Sequence, residues 1–156
     1  MKKILIFALI IIALAWFFFS GGESDDEYFN NYFQNMVKAG EEKDVDKFMD
    51  NFSIQYHDDY GLNYIVLKKI VKNVFEKYEN IDGEISELGS SITKDEDGTE
   101  TAVVNMDVRA TADNNSIQTG ILGLNDTPEN ITVYLEKTTF GSWQIVSVEG
   151  IENGEY

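Results

Sequence analysis

The sequence predicts an α+β fold in which N-terminal helices pack on an antiparallel sheet. Two observations predict it. Between residues 24 and 78, apolar side chains recur at the spacing of an amphipathic helix. From residue 81 onwards, apolar side chains alternate with polar ones, as in strands that bury one face. Helices that precede a set of antiparallel strands are typical of the α+β class.

Three helices are expected in the first half of the chain. Ser24 and Glu27 form a capping box at the start of the first helix, and Gly40 is a natural stop for it. Apolar residues at positions i, i+3, i+4 and i+7 predict a short second helix over residues 45–52. The same period predicts a third helix over residues 64–78.

Three or four strands are expected in the second half. Residues 101–112 alternate most clearly, and residues 81–92 form a more irregular strand before them. Residues 131–137 and 143–151 read as two strands of a hairpin. The polar segment 113–130 lies between these strands, and the sequence leaves open whether it is an ordered lid or a loop.

An apolar run near the N-terminus predicts that the chain is targeted to a membrane. Lys2 and Lys3 precede an unbroken apolar stretch at residues 4–19, which is typical of a signal-anchor or of a cleaved signal peptide. A transmembrane or signal helix over residues 1–22 would therefore precede a folded domain at residues 23–156. The two lysines favour the cytoplasmic side, so the domain is expected outside the cytoplasm, in the periplasm or extracellular space. It would be secreted if the leader is cleaved.

Composition excludes several classes of function. The chain has 28 acidic and 12 basic residues, a net charge of −16, which disfavours nucleic acid as a partner. It has no cysteine, so neither a disulfide nor a cysteine-based metal site is available. Asp95, Asp97 and Glu100 only partly match a calcium-binding loop and fit a hairpin turn better. We therefore predict no metal and no cofactor.

The densest polar cluster lies at residues 56–60 and contains the only histidine of the chain. His57 beside the carboxylate of Asp58 has the chemistry of a general base, which makes these two residues catalytic candidates. Tyr56 and Tyr60 flank them and are candidate ligand-binding residues together with them. The alternative is a solvated loop, because neighbouring residues in a sequence point in different directions.

Arg109 is the only arginine of the chain and lies within the predicted strand 101–112. Alternation places it on one face with Asn105 and Asp107. If that face is the concave one, Arg109 would hold an anion and Asn105 would help to bind the ligand. The alternative is an ion pair between Arg109 and one of the many carboxylates.

The order of these motifs resembles the NTF2-like superfamily, also called the cystatin-like cone, which includes the SnoaL-like and ketosteroid isomerase-like proteins. The resemblance rests on the opening helix, the helix at 44–52 running into FSIQYHDDYG, the helix at 64–78, and the closing LEKTTFGSWQIVSVEG. It implies a strongly curved sheet wrapped around a long helix, with a conical pocket whose mouth lies near residues 56–60. This fold hosts enzymes, binding modules and assembly domains alike.

Three hypotheses about function follow. The first is a non-catalytic domain, tethered to the membrane through residues 4–19 or secreted, that binds a small hydrophobic ligand or an envelope protein. The second is an isomerase, cyclase or hydrolase that uses His57, Asp58 and Arg109. The third is a structural or assembly module that forms a homodimer. Convergence of His57 and Arg109 on one cavity would favour a ligand site.

Overall fold

The computed structural model describes residues 24–115, 117–123 and 127–151. Within these residues, three helices precede five strands. The helices are α1 (Asp25–Glu41), α2 (Val45–Met49) and α3 (Tyr64–Lys77), and the strands are β1 (Glu79–Lys94), β2 (Glu100–Asn114), β3 (Ile117–Leu122), β4 (Glu129–Lys137) and β5 (Trp143–Glu149). All strand pairs are antiparallel. The predicted α+β class, with helices packed on a curved antiparallel sheet, is confirmed.

Side-chain caps set where the helices begin. The hydroxyl of Ser24 accepts a hydrogen bond from the amide of Glu27 at 3.2 Å, so the predicted start of α1 is confirmed. The side chain of Asn63 accepts hydrogen bonds from the amides of the first turn of α3 in the same way. The predicted stop at Gly40 is wrong, because α1 continues to Glu41 and the left-handed residue that follows is Lys43.

The sheet is built around β2. Its strand order is β1-β2-β4-β5, and β3 also pairs with β2. On one edge, β2 forms a long hairpin with β1. On its other edge it pairs first with β4, over Thr101 to Val108, and then with β3, over Ala110 to Asn114. The strand β3 falls in the polar segment for which the sequence left the structure open.

The helices cover one face of the sheet and fill its centre with aromatic side chains. Along β2, the predicted alternation buries Ala102, Val104 and Met106 on the face that contacts the helices. Phe29 of α1 is fully buried, and its ring centroid lies 5.5 Å from that of Trp143 on β5. Burial of such large apolar side chains is the main stabilising term in the packing of α1 on the sheet.

No helix in the described part of the chain is both long and apolar enough to cross a membrane. The predicted leader at 1–22 lies outside the described residues.

Tyr32 links α1 by hydrogen bonds to the segment after α2 and to β5. Its hydroxyl donates to the backbone carbonyl of Asn51 at 3.1 Å and lies 3.4 Å from that of Trp143. We expect Tyr32→Phe to lower the free energy of unfolding by about 1 kcal/mol, since the carbonyls lose their donor. Tyr28→Phe is the matched control, because Tyr28 is exposed on the same helix. Urea denaturation measures both, and an equal effect of the two substitutions would contradict this role.

The same tyrosine makes the free energy of unfolding of the domain fall at alkaline pH. Burial raises the pKa of Tyr32 above the usual value. Above about pH 10, the unfolded chain loses a proton that the folded chain keeps, so the free energy of unfolding falls as pH rises. We expect this fall between pH 9 and 11 to be shallower in Tyr32→Phe than in the wild type. Identical slopes would show that Tyr32 ionises as freely in the folded domain as in the unfolded chain.

Candidate ligand-binding site

A cavity of about 350 Å³ lies between the helices and the sheet. Most of its lining is apolar and comes from the second half of α1, one face of α3 and the buried face of the sheet. Prominent among the lining side chains are Phe33, Met36, Leu67, Val71, Val74, Phe75, Met106, Val108 and Ile131. The volume is within the range of about 300–1,000 Å³ that is usual for small-molecule sites.

Regular spacing explains why these side chains meet. Leu67, Val71 and Val74 are separated by four and three positions, so they share one face of α3. Met106 and Val108 are two positions apart on β2 and share the face that the helices cover. The lining residues are therefore continuous with the core, because they lie on the same faces of α3 and β2.

Charged side chains occupy one part of the lining. Glu84 of β1 and Arg109 of β2 are opposite each other in the strand register, and Arg109 Nη2 donates to Glu84 Oε2 at 2.8 Å. Glu129 at the start of β4 also contributes to the lining. A second, more polar cavity of about 280 Å³ is lined by Glu84, Ser86, Arg109 and Pro128. The Glu84–Arg109 pair therefore borders both cavities.

Tyr56 connects the cavity to a buried carboxylate. Its ring lines the cavity, and its hydroxyl donates to Asp58 Oδ2 at 2.9 Å. The other oxygen, Asp58 Oδ1, accepts from the amides of Tyr60 at 3.0 Å and Leu62 at 2.9 Å. Asp58 is only 4% exposed. This carboxylate holds the loop between α2 and α3 in its shape, because it accepts hydrogen bonds from both sides of the turn.

The remaining candidates of the 56–60 cluster point away from the cavity. The side chain of His57 is exposed, and its amide donates to the carbonyl of Val146 at 3.1 Å. Tyr60 is 52% exposed. Neither residue contributes to the lining, nor does Asp58. The structure therefore does not bring His57 and Arg109 together at one cavity, because consecutive residues of the loop alternate in direction.

Asn105, Asp107 and Arg109 share one face of β2, as the alternation predicts, and this face is opposite the buried one. Asn105 accepts a hydrogen bond from Thr132 at 2.8 Å, across the strand pair, and does not line the cavity. Arg109 forms the ion pair with a carboxylate that the sequence left as an alternative. It also borders the cavity, so of the six candidate ligand-binding residues only it and Tyr56 contribute to the lining.

Sequence reasoning missed Glu84 and Glu129 as residues of the site. Neither lies in a motif, and only the register of β1 and β4 with β2 brings them to the cavity. The sequence predicted the apolar faces of the helices and strands that form the lining. A pattern of apolar residues does not show whether side chains fill the space between such faces or leave a cavity there. In the part of the chain that the structure describes, no group of three or more His, Cys, Asp or Glu side chains is placed to hold a metal ion.

The role of Asp58 can be measured by substitution. We expect Asp58→Ala to lower the free energy of unfolding by about 2–4 kcal/mol, since it removes the acceptor of three hydrogen bonds in a buried loop. Asp58→Asn keeps an acceptor oxygen and is expected to lower it by about 1 kcal/mol. The neighbouring substitution His57→Ala is the control, with an expected effect below about 0.5 kcal/mol because the side chain is exposed. A greater loss for His57→Ala than for Asp58→Ala in urea denaturation would contradict this assignment.

Comparison of the sequence with protein-family models and with curated proteins gives no match. Solved structures do match. A candidate calcium/calmodulin dependent protein kinase II association domain from Xanthomonas campestris has a TM-score of 0.64 and 14% identity, over 85% of this chain and 91% of that one. A candidate dehydratase from the NTF2-like family of Streptomyces avermitilis has a TM-score of 0.61 and 14% identity, over 83% of this chain and 97% of that one.

The protein Bd1075 of Bdellovibrio bacteriovorus is also similar, with a TM-score of 0.61 and 17% identity over 79% of this chain. The match covers 40% of that longer protein. At these identities the likeness concerns the fold. The NTF2-like fold that the sequence resembles is confirmed.

Proposed function

We propose that this NTF2-like domain is a non-catalytic binding domain that takes a small apolar ligand into the cavity between its helices and its sheet. The cavity itself carries the proposal, because about 350 Å³ of space is lined mostly by apolar side chains. Sites of this size and chemistry, with a few polar groups at one side, are typical of small-molecule binding. An envelope protein as the main partner is the less favoured form of this hypothesis, since the cavity lies between the helices and the sheet.

The expected affinity is modest. Burial of a ten-carbon chain contributes about 8 kcal/mol, at about 0.8 kcal/mol for each CH₂ group. Association opposes this with at least about 4 kcal/mol of lost translational and rotational freedom. The balance of at most about 4 kcal/mol corresponds to a dissociation constant of about 1 mM or weaker. Such a ligand would exchange readily.

The structure does not bring the predicted catalytic residues His57 and Asp58 to the cavity, which supports binding over catalysis. An isomerase, cyclase or hydrolase needs an acid or base that reaches the substrate. The catalytic candidate His57 is exposed and outside the lining. Tyr56 does border the cavity, but its hydroxyl donates a hydrogen bond to Asp58. The carboxylate of Asp58 also accepts hydrogen bonds from two backbone amides. The homodimer stays a prediction of the sequence.

The proposal includes membrane tethering or secretion, which the apolar run at 4–19 after Lys2 and Lys3 supports. Helix α1 begins at Asp25, so few residues separate the end of the predicted leader from the first helix. An uncleaved leader would therefore hold the domain close to the outer face of the membrane. A cleaved leader would release it.

Filling the cavity tests the binding function. We expect Val74→Trp to weaken the binding of n-decanol at least about tenfold, because Val74 lines the cavity and the larger ring would occupy it. Val66→Trp, on the same helix but exposed, is the matched control and should bind n-decanol like the wild type. Isothermal titration of the full chain in phosphatidylcholine nanodiscs measures this, with empty nanodiscs as the blank. Failure of the wild type to bind n-decanol would contradict the proposed binding function.

Because the sequence has no cysteine, a single introduced cysteine reports on which side of the membrane the domain lies. Phe140 is 98% exposed in the turn between β4 and β5. In intact spheroplasts of a bacterial host, we expect Phe140→Cys to react with a membrane-impermeant maleimide without lysis. Val104→Cys, at a fully buried position, should react only after denaturation. Labelling of Phe140→Cys that requires lysis would place the domain in the cytoplasm.

A further inference from the structure

We infer that the ligand is an amphiphile whose polar end is a protonated amine, and that Glu129 binds this amine at the edge of the apolar cavity. This inference rests on the proposed function, because it takes the cavity as the site of the hydrocarbon part. It adds the chemical class of the ligand and the residue that recognises it. The observations that lead to it are the register of β4 with β2, the burial along β4 and the charges around the cavity.

Glu129 is the first residue of β4 and belongs to the face of the sheet that lines the cavity. It lies directly opposite Val108 in the register with β2, and the side chains of such a pair are on the same face. Glu129, Ile131 and Val133 follow each other at every second position of β4, and all three line the cavity. The carboxylate of Glu129 therefore belongs to a face that is otherwise apolar.

The burial along β4 places Glu129 where a charged head group can stay near water. Ile131 is 8% exposed and Val133 is 1% exposed, whereas Glu129 is half-buried. A ligand whose hydrocarbon chain contacts the deeper residues would reach Glu129 with its end. Partial exposure matters, because the complete burial of an ion pair can cost more free energy than the attraction between the charges supplies.

The charges around the cavity decide the sign of the head group. The charged residues of the lining are Glu84, Arg109 and Glu129, which carry two negative charges and one positive charge, a net charge of −1. Arg109 and Glu84 are on the outer face of the sheet, where Arg109 Nη2 donates to Glu84 Oε2 at 2.8 Å. The positive charge therefore already has a carboxylate beside it. An anionic head would meet the like charge of Glu129, so a cation is favoured.

A protonated amine suits this carboxylate, because N–H donors with a positive charge form strong hydrogen bonds to it. Glu129 and Arg109 each make a further interaction within the protein. A carboxylate can accept from a ligand as well, since its two oxygens offer about four acceptor positions. In this domain Asp58 accepts from three donors at once. The net charge of −16 adds a long-range attraction for a cation.

The test compares three ten-carbon ligands on the full chain in phosphatidylcholine nanodiscs at neutral pH: decylammonium, n-decanol and decanoate. Isothermal titration, with empty nanodiscs as the blank, gives each dissociation constant. We expect decylammonium to bind at least about tenfold more tightly than n-decanol, because a charge-assisted hydrogen bond adds to the same hydrocarbon contacts. Decanoate should bind no better than n-decanol.

Two variants of β4 locate the effect. Glu129→Gln should weaken the binding of decylammonium at least about tenfold and leave that of n-decanol unchanged. Glu136→Gln is the matched control, because it removes the same charge at an exposed position of the same strand, outside the lining. Its effect on decylammonium should be below about twofold. Thermal unfolding followed by circular dichroism verifies that both variants fold, and the ligand series on the wild type tests the inference without either of them.

A third variant separates binding in the cavity from attraction of a cation to the acidic surface. In Val74→Trp the larger ring would occupy the cavity, so decylammonium and n-decanol should both bind at least about tenfold more weakly. Unchanged binding of decylammonium to folded Val74→Trp would place this ligand on the surface and overturn the inference.

The outcomes separate this inference from the proposed function. Equal binding of decylammonium and n-decanol would overturn the amine and leave the apolar site intact. Tighter binding of decanoate than of decylammonium would overturn the assigned charge. An equal loss in Glu129→Gln and Glu136→Gln would overturn the role of Glu129. Absence of binding for all three ligands would overturn the proposed function and this inference with it.

Discussion

Backbone hydrogen bonding along β2 is the interaction on which the rest of this domain depends. Every residue of a strand carries a donor and an acceptor that need partners when buried. β2 meets this requirement with β1 on one edge and with β4 and then β3 on the other. No other described strand pairs with three others. The change of partner at Arg109 follows from the length of β2, because β4 pairs with only the first half of it.

The packing of the helices divides the domain into a filled end and a hollow end. Near the start of α1, Phe29 and Trp143 pack against each other, and Val104 and Leu135 are almost fully buried. Towards the end of α1, Phe33, Met36 and Val37 line the cavity, and Val37 also packs against Gly83 of β1. The aromatic end stabilises the fold, so the other end does not need to be filled to keep α1 in place.

Local patterns predicted the elements well and the site poorly. The start of α1 at Ser24 and the buried face of β2 depend on neighbours three or two positions apart, so the sequence reveals them. The strand β3 is short and exists through its pairing with β2, which no local pattern encodes. His57 was a candidate because it is the only histidine of the chain, whereas the direction of its side chain depends on the loop around Asp58. Arg109 was recognised as a candidate, but its place between two strand registers is a property of the whole sheet.

The start of α1 marks one end of the domain, because it contacts β1 far from the charged part of the cavity lining. Asp26, at the start of α1, accepts hydrogen bonds from Ser90 on β1, whereas Glu84 lies six residues earlier on that strand, or about 20 Å away. The Glu84–Arg109 pair therefore lies towards the end of the domain that is remote from the start of α1. A substitution at Asp26 would therefore change the packing of α1 on β1 and leave the charged side of the cavity in place.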